Sequence, residues 1–271
     1  IGARGAHAMR DVRTYDAAAL AFGRAMFARD LAASIPVLVI GPPEAEAPDS
    51  SLVHMCALFV RAFGAPESPE RTFFVRGGTL MVDDLRARIA ALPRSAPTAI
   101  LATSFALVHL TDALGGDVLA LPQGSRVMQT GGFKGRSREV AAGDLRRTVA
   151  RAFAIDERAV VSEYGMTELS SQLWEATLVD ERTRHGVYAE PPWVRVVPVH
   201  AETLLPVPDG HVGIARIEDL ANVDSAFALL AQDRVRRVAG GVEVFGRAPG
   251  APPRGCSIAL DEMLGSGKGV P

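Results

Sequence analysis

The stretch TAILATSFALVHLTDALG, residues 98–115, decides how the fold reads. Its first seven residues are a short apolar run with β-branched members, the pattern of a buried strand. FALVHLTDALG then places apolar residues at helical spacing, and the closing glycine is a helix stop. A strand passing directly into a helix is half of a β-α-β unit, and the same alternation recurs on both sides. Upstream lie a strand PVLVI (36–40) ending in GPPEAEAPDS, and a helix SLVHMCALFVRAFG. In that helix Leu52, Met55, Cys56, Phe59, Val60 and Phe63 form one stripe and Gly64 supplies the stop, which makes Cys56 core filler. TFFVR (72–76) reads as a further strand, followed by a helix from about Leu80 to Leu92. Downstream come the strand RVMQT (126–130), the helix EVAAGDLRRTVARAF and the strand AVVSEY.

This alternation predicts the α/β class, with a mostly parallel sheet flanked by helices on both faces. Ligands of such sheets gather beyond the carboxyl ends of the strands, so the polar loops ATSFAL, TGGFKGRSREV and EYGMTELSS are the ones to inspect. After residue 190 the texture changes to short β-like pieces, WVRVVPV, HVGIARI and GVEVFGR, separated by Pro and Gly turns. The expected organisation is an α/β core over 1–190, a β-rich section of the same domain over 191–245, and a hinge with a short tail over 246–271.

Composition narrows the function classes. The chain has 271 residues, 48% of them hydrophobic, enough for a substantial core. With 29 basic and 31 acidic residues the net charge is −2, so no electrostatic footprint for nucleic acid is present. No apolar run approaches the roughly 20 residues that span a bilayer, and a cytoplasmic location is expected. Cys56 and Cys256 are too few for a disulfide framework, and no Cys or His spacing suits zinc. The opening IGARGAH resembles the middle of a glycine-rich loop, so an N-terminally incomplete chain is expected.

Two loops carry candidate chemistry. In TGGFKGR (130–136), Gly131 and Gly132 let backbone N–H groups approach a ligand while Lys134 and Arg136 add positive charge; taken by itself, the stretch reads sooner as a plain strand-to-helix turn than as a ligand loop. In YGMTE (164–168), at the end of a strand, Gly165 permits a sharp turn, Thr167 can donate to a phosphate oxygen, and Glu168 can hold a phosphate-bound Mg2+.

YGMTE resembles the Tyr-Gly-x-Thr-Glu signature of adenylate-forming enzymes, the superfamily of acyl-CoA synthetases, luciferases and peptide-synthetase adenylation domains. Further pieces follow in that superfamily's order. GGFKG stands where the superfamily has its adenine loop, LAQDRVRR places Asp233 where an aspartate binds the ribose hydroxyls, and VFGRAPG places Arg247 at the hinge-side nucleotide contact. TGGFKGRSREV, SEYGMTELSSQ, DLANVDS and GRAPGAPPRGCS together resemble the acyl-protein synthetases of bacterial luminescence systems, the LuxE-type family.

The resemblance implies ATP and Mg2+ as cofactors and activation of a fatty acid to an acyl-adenylate. It further implies transfer of the acyl group to Cys256 as a thioester, and a partner acyl reductase or acceptor protein. Tyr164, Gly165, Gly131 and Gly132 would line the nucleotide, with Thr167 on phosphate, Glu168 on metal, Asp233 on ribose and Arg247 at the hinge. Lys134 would stabilise the adenylate. Two other functions remain open: an acyl-CoA or aryl-CoA ligase in which Cys256 is incidental, and a non-catalytic subunit lacking the upstream phosphate loop. Phe105 and Leu107 are candidates for an acyl pocket, and His7 draws interest because it follows the glycine-rich start. Acyl chain length, oligomeric state and pathway are not legible in these residues.

Overall fold

The computed structural model describes residues 7–31, 34–131 and 141–251. In chain order the first elements are α1 (Arg13–Met26), β1 (Val37–Ile40), α2 (Ser51–Phe63), α3 (Pro69–Thr72), β2 (Val75–Arg76), β3 (Thr79–Leu80) and α4 (Val82–Ala90). Next come β4 (Ala99–Thr103), α5 (Ser104–Leu114), β5 (Arg126–Thr130), α6 (Ala142–Phe153) and β6 (Val160–Tyr164). The remainder is all β: β7 (Leu173–Glu175), β8 (Val187–Ala189), β9 (Val194–Val199), β10 (Val212–Asp219), β11 (Ala228–Val238) and β12 (Gly241–Arg247). The described residues of 28–161 form one compact unit, and those of 1–27 and 162–255 form a second.

The first unit is the α/β part. β1, β4 and β5 pair in parallel, with Val37 opposite Ala99 and Ala99 opposite Arg126. All three strands are buried along their whole length, as strands covered on both faces must be. The junction that opened the sequence reading is β4 running straight into α5. Thr103 ends the strand and caps the helix, its hydroxyl accepting from the Ala106 N–H at 3.0 Å, and Gly115 closes it in the left-handed region at φ 60°. Leu38, Ile100 and Val127 from the strands meet Leu107, Val149 and Phe153 from the helices in one core cluster. Leu107 is fully enclosed there, so it fills core rather than lining an open pocket; Phe105 packs edge-on to His109, ring centroids 4.3 Å apart. Cys56 is buried in α2, whose stop at Gly64 depends on space, since a Cβ there would lie 2.4 Å from the Val60 carbonyl oxygen.

TFFVR does not form a strand of this sheet. Thr72 ends α3, Phe73 makes a single bridge to Val39, and only Val75 and Arg76 are β, paired with Thr79 and Leu80 in a separate hairpin. Gly77 and Gly78, at φ 53° and 76°, form the tight turn, a conformation that matches strand twist and favours two consecutive glycines. Phe74 and Val75 are buried, so the apolar run is core, but its partner is local.

The second unit is antiparallel. Its strands follow the order β6, β7, β8, β12, β11, β10, β9, with Glu163 opposite Trp174, Trp174 opposite Ala189, and Asp233 opposite Arg247. β10 alternates buried and more open positions, while β9 is buried at every residue but Arg195, and Val194, Val196, Ala215 and Ile217 join Val235 and Val242 in a second core cluster. Trp174 is fully enclosed against Phe27 of the same unit, ring centroids 5.6 Å apart.

Candidate nucleotide site

The second unit brings together residues far apart in sequence. Tyr164 ends β6, Asp233 lies on β11 and Arg247 ends β12. The Tyr164 hydroxyl donates to Asp233 Oδ2 at 2.9 Å, and Arg247 Nη1 lies 3.7 Å from the same oxygen. Arg247 is also held by Nη2 donating to Gln232 Oε1 at 2.9 Å. Strand register explains the meeting: Asp233 and Arg247 are cross-strand partners, and the pairing shifts between Arg234 and Val235, a bulge that re-aims the side chains beside it. Both contacts to Asp233 fall on Oδ2, so the carboxylate is oriented from one side. Its side chain is one-tenth exposed, enough to present an acceptor edge.

Burial of the phenol pushes the Tyr164 pKa well above its ordinary value, and the Asp233 carboxylate reinforces the shift. Tyr164 is therefore a permanent donor at neutral pH. Its ring packs against Tyr188, centroids 6.0 Å apart.

From Tyr164 the chain enters the turn carrying Gly165, Thr167 and Glu168. Gly165 is absent from the positive-φ residues, and its value is room: a Cβ there would stand 2.7 Å from Glu163 Oε1. Because that neighbour is the end of a side chain, Gly165→Ala should lower stability by only about 1–2 kcal/mol while displacing the turn. Thermal melting beside nucleotide titration would check this, with binding expected to fall more than the melting temperature suggests. Glu168 is exposed at the tip, and among the described residues its carboxylate has no hydrogen-bond or ion-pair partner. No group of three or more His, Cys, Asp or Glu side chains among the described residues could cage a metal.

Further side chains gather near this turn, among them His7, which the sequence reading had singled out. Trp193 donates its indole N–H to Ser171 Oγ at 2.9 Å. His7 sits 3.1 Å from the Thr167 carbonyl oxygen through Nδ1 and 2.7 Å from Ser225 Oγ through Nε2. A carbonyl only accepts, so Nδ1 carries the proton and Nε2 accepts from the serine. Asp219 and Asn222, contained in the quoted DLANVDS, hydrogen-bond directly to the turn. Gly131 immediately follows β5 in the first unit, at φ 79°, with its carbonyl accepting from Ser104 Oγ at 2.8 Å. Gly132, Lys134 and Cys256 lie outside the described residues.

Solved structures share this fold. The ATP-bound MatB of Rhodopseudomonas palustris matches at TM-score 0.60 and 15% identity, covering 86% of this chain and 44% of that one. The amide bond synthetase McbA of Marinactinospora thermotolerans matches at TM-score 0.57 and 17% identity, covering 86% and 44%. A luciferase-like enzyme from the nonluminescent mealworm Zophobas morio matches at TM-score 0.60 and 13% identity, covering 89% and 54%. The chain thus spans about half the length of the solved structures it matches. No curated protein matches the sequence. The family model described as "Acyl-protein synthetase, LuxE" matches residues 104–265, more than half of the chain and every segment from α5 to the Cys256 region. That match over more than half of the chain settles membership: the chain belongs to the LuxE acyl-protein synthetase family.

Proposed function

We propose that the protein activates a carboxylic acid, of the fatty-acid class, with ATP and passes the acyl group to Cys256. The acid's carboxylate oxygen attacks the α-phosphorus of ATP and displaces pyrophosphate, giving an acyl-adenylate. The Cys256 thiolate then attacks the acyl carbon and releases AMP, leaving a thioester. Arg254, two residues earlier, favours the thiolate by its charge. The observation that carries the reading is the direct contact of Tyr164, Asp233 and Arg247, residues singled out in three separate motifs.

In this reading Asp233 receives the ribose hydroxyls, Arg247 the hinge-side nucleotide edge, Thr167 the α-phosphate, and Gly131, Gly132, Tyr164 and Gly165 the base side. Lys134 stabilises the adenylate. The donor set fits Mg2+ only as a companion of the nucleotide: Mg2+ commonly takes one or two carboxylates, with phosphates and waters completing its shell. Glu168, exposed and unpartnered among the described residues, can be that carboxylate. Residues 1–190 serve as the adenylating core, 191–245 as its β-rich section and 246–271 as hinge and tail. A cytoplasmic location, where ATP is supplied, and an acyl reductase or carrier as final acceptor belong to the same proposal. No described helix is long and apolar enough to cross a membrane.

Calorimetric titration with AMP and with ATP plus Mg2+, on the wild type and Glu168→Gln, tests the first half. AMP binding in both, with Mg2+-dependent ATP binding lost in Glu168→Gln, is the expected result. No binding of either nucleotide would leave a non-catalytic member of the family. For the second half, Cys256→Ser should form acyl-adenylate yet lose the hydroxylamine-labile acyl label on the protein. Retained label would remove Cys256 from the reaction, and formation of a CoA ester by the variant would instead make the protein an acyl-CoA ligase.

A further inference from the structure

Within the turn that carries Thr167 and Glu168 the Leu169 N–H donates to the Met166 carbonyl at 3.1 Å, and His7 meets the Thr167 carbonyl from outside it. The far side of the turn is held by two buried side chains at and just after the end of β10. Asp219 is fully buried and Asn222 is 3% exposed. The Ser170 N–H is shared between Asp219 Oδ2 at 3.1 Å and Asn222 Oδ1 at 2.8 Å. Asn222 Nδ2 donates to the carbonyl of Glu168 itself at 2.9 Å, and to the Ala226 carbonyl at 3.1 Å. The other carboxylate oxygen, Asp219 Oδ1, accepts from Ser171 Oγ at 2.8 Å and from the Ala221 N–H at 2.9 Å.

A buried carboxylate beside a buried amide is unfavourable unless its hydrogen bonds are made, and here they are made largely by the turn. Apolar residues could fill the same space at less electrostatic cost. What they could not do is fix one backbone carbonyl, that of Glu168, by a directed bond.

We infer that Asn222, oriented alongside Asp219, is a positioning residue for Glu168: it holds the backbone of the metal-facing residue so that the exposed carboxylate meets Mg2+-nucleotide in one geometry. This rests on the adenylation reading above. Asp219 fixes Ser170 and Ser171 on the far side, so the turn is clamped immediately after Glu168.

The test is a double-mutant cycle on the full-length protein, with acid-dependent ATP–pyrophosphate exchange as readout across a Mg2+ titration. Asn222→Ala should lower kcat about 10- to 100-fold, raise the Mg2+ requirement and change the KM for ATP less than about threefold. In a Glu168→Gln background the same substitution should add less than about a twofold loss, because the group it positions is already disabled. Asn222→Ser, uncharged and too short to keep the bond to the Glu168 carbonyl, should behave like Asn222→Ala, and thermal melting of both variants guards against a misfolded protein. A structural role alone would reduce active protein equally in both backgrounds, so multiplicative losses with an unchanged Mg2+ dependence overturn the inference. Near-wild-type exchange by both Asn222 variants overturns it as well. If the wild type neither binds nucleotide nor exchanges pyrophosphate, the adenylation reading itself falls and takes the inference with it; only that outcome lacks wild-type activity.

Discussion

Replacing Asp233 with alanine should weaken AMP binding about 10- to 100-fold, the effect of removing a charged acceptor worth about 1.5–3 kcal/mol. The reason lies in how the carboxylate is held. Tyr164 and Arg247 both engage Oδ2, and the register shifts after Arg234, so the carboxylate is held in one orientation before any ligand arrives. The same substitution removes the acceptor of a buried phenol and the nearest opposite charge of Arg247, so stability should also fall, by about 1–3 kcal/mol. Asp233→Asn separates the two effects, because an amide oxygen still accepts from Tyr164 while the charge is gone. It should melt closer to the wild type and still bind AMP poorly. Tyrosine absorbance gives an internal check. Desolvation, then the Asp233 charge, raises the Tyr164 pKa in the fold. A raised folded pKa adds stability that is complete below the unfolded tyrosine value near 10 and is lost as pH climbs through the folded one, so neutral-pH comparisons are unaffected. In Asp233→Asn the phenol should titrate at lower pH than in the wild type. Unchanged AMP affinity in Asp233→Ala would remove this residue from the nucleotide site.

The α/β half was legible wherever local chemistry and burial agree. Around residues 98–115 a short apolar run, a threonine cap and a left-handed glycine all specify strand then helix, and the structure adds little beyond the partners. TFFVR misled because a short apolar run does not say whether its partner is a distant strand or the next few residues; the glycine pair that answers the question lies just beyond it. β11 was harder still. In ALLAQDRVRRV the buried positions include Ala231, Asp233 and Val235, and the aspartate breaks the apolar alternation. Composition therefore hid the longest strand at the point of greatest functional interest. Asp219 and Asn222 reach partners 48 to 54 residues away, and no periodicity encodes a side chain bonding to a turn that distant. His7 meets Thr167 across 160 residues, which again only the fold can show.

Gly241→Ala should be the most damaging single methyl in the second unit. Gly241 has φ +151°, and a Cβ there would lie 2.0 Å from the Tyr188 carbonyl oxygen and 2.8 Å from its carbon. Backbone cannot rotate away as a side chain can, so the methyl must push β12 from β8, whose registered pairs are Val242 with Tyr188 and Glu243 with Val187. Strain of about 1–3 kcal/mol and overpacking of similar size combine to a loss of about 3 kcal/mol or more. The neighbouring Gly240 is the control. It has φ +88° but open space around its would-be Cβ, so Gly240→Ala suffers the backbone term alone. Melting temperatures should separate the two variants by several degrees, on the order of 2–4 °C for each kcal/mol. The damage should reach the site, because Tyr188 packs against the Tyr164 ring and β12 ends at Arg247. Gly241→Ala protein that remains folded should therefore bind AMP more weakly than Gly240→Ala protein. Equal melting and equal affinity would mean that β8 yields to the methyl without disturbing Tyr164, and that the tyrosine is held by Asp233 rather than by its neighbour's ring.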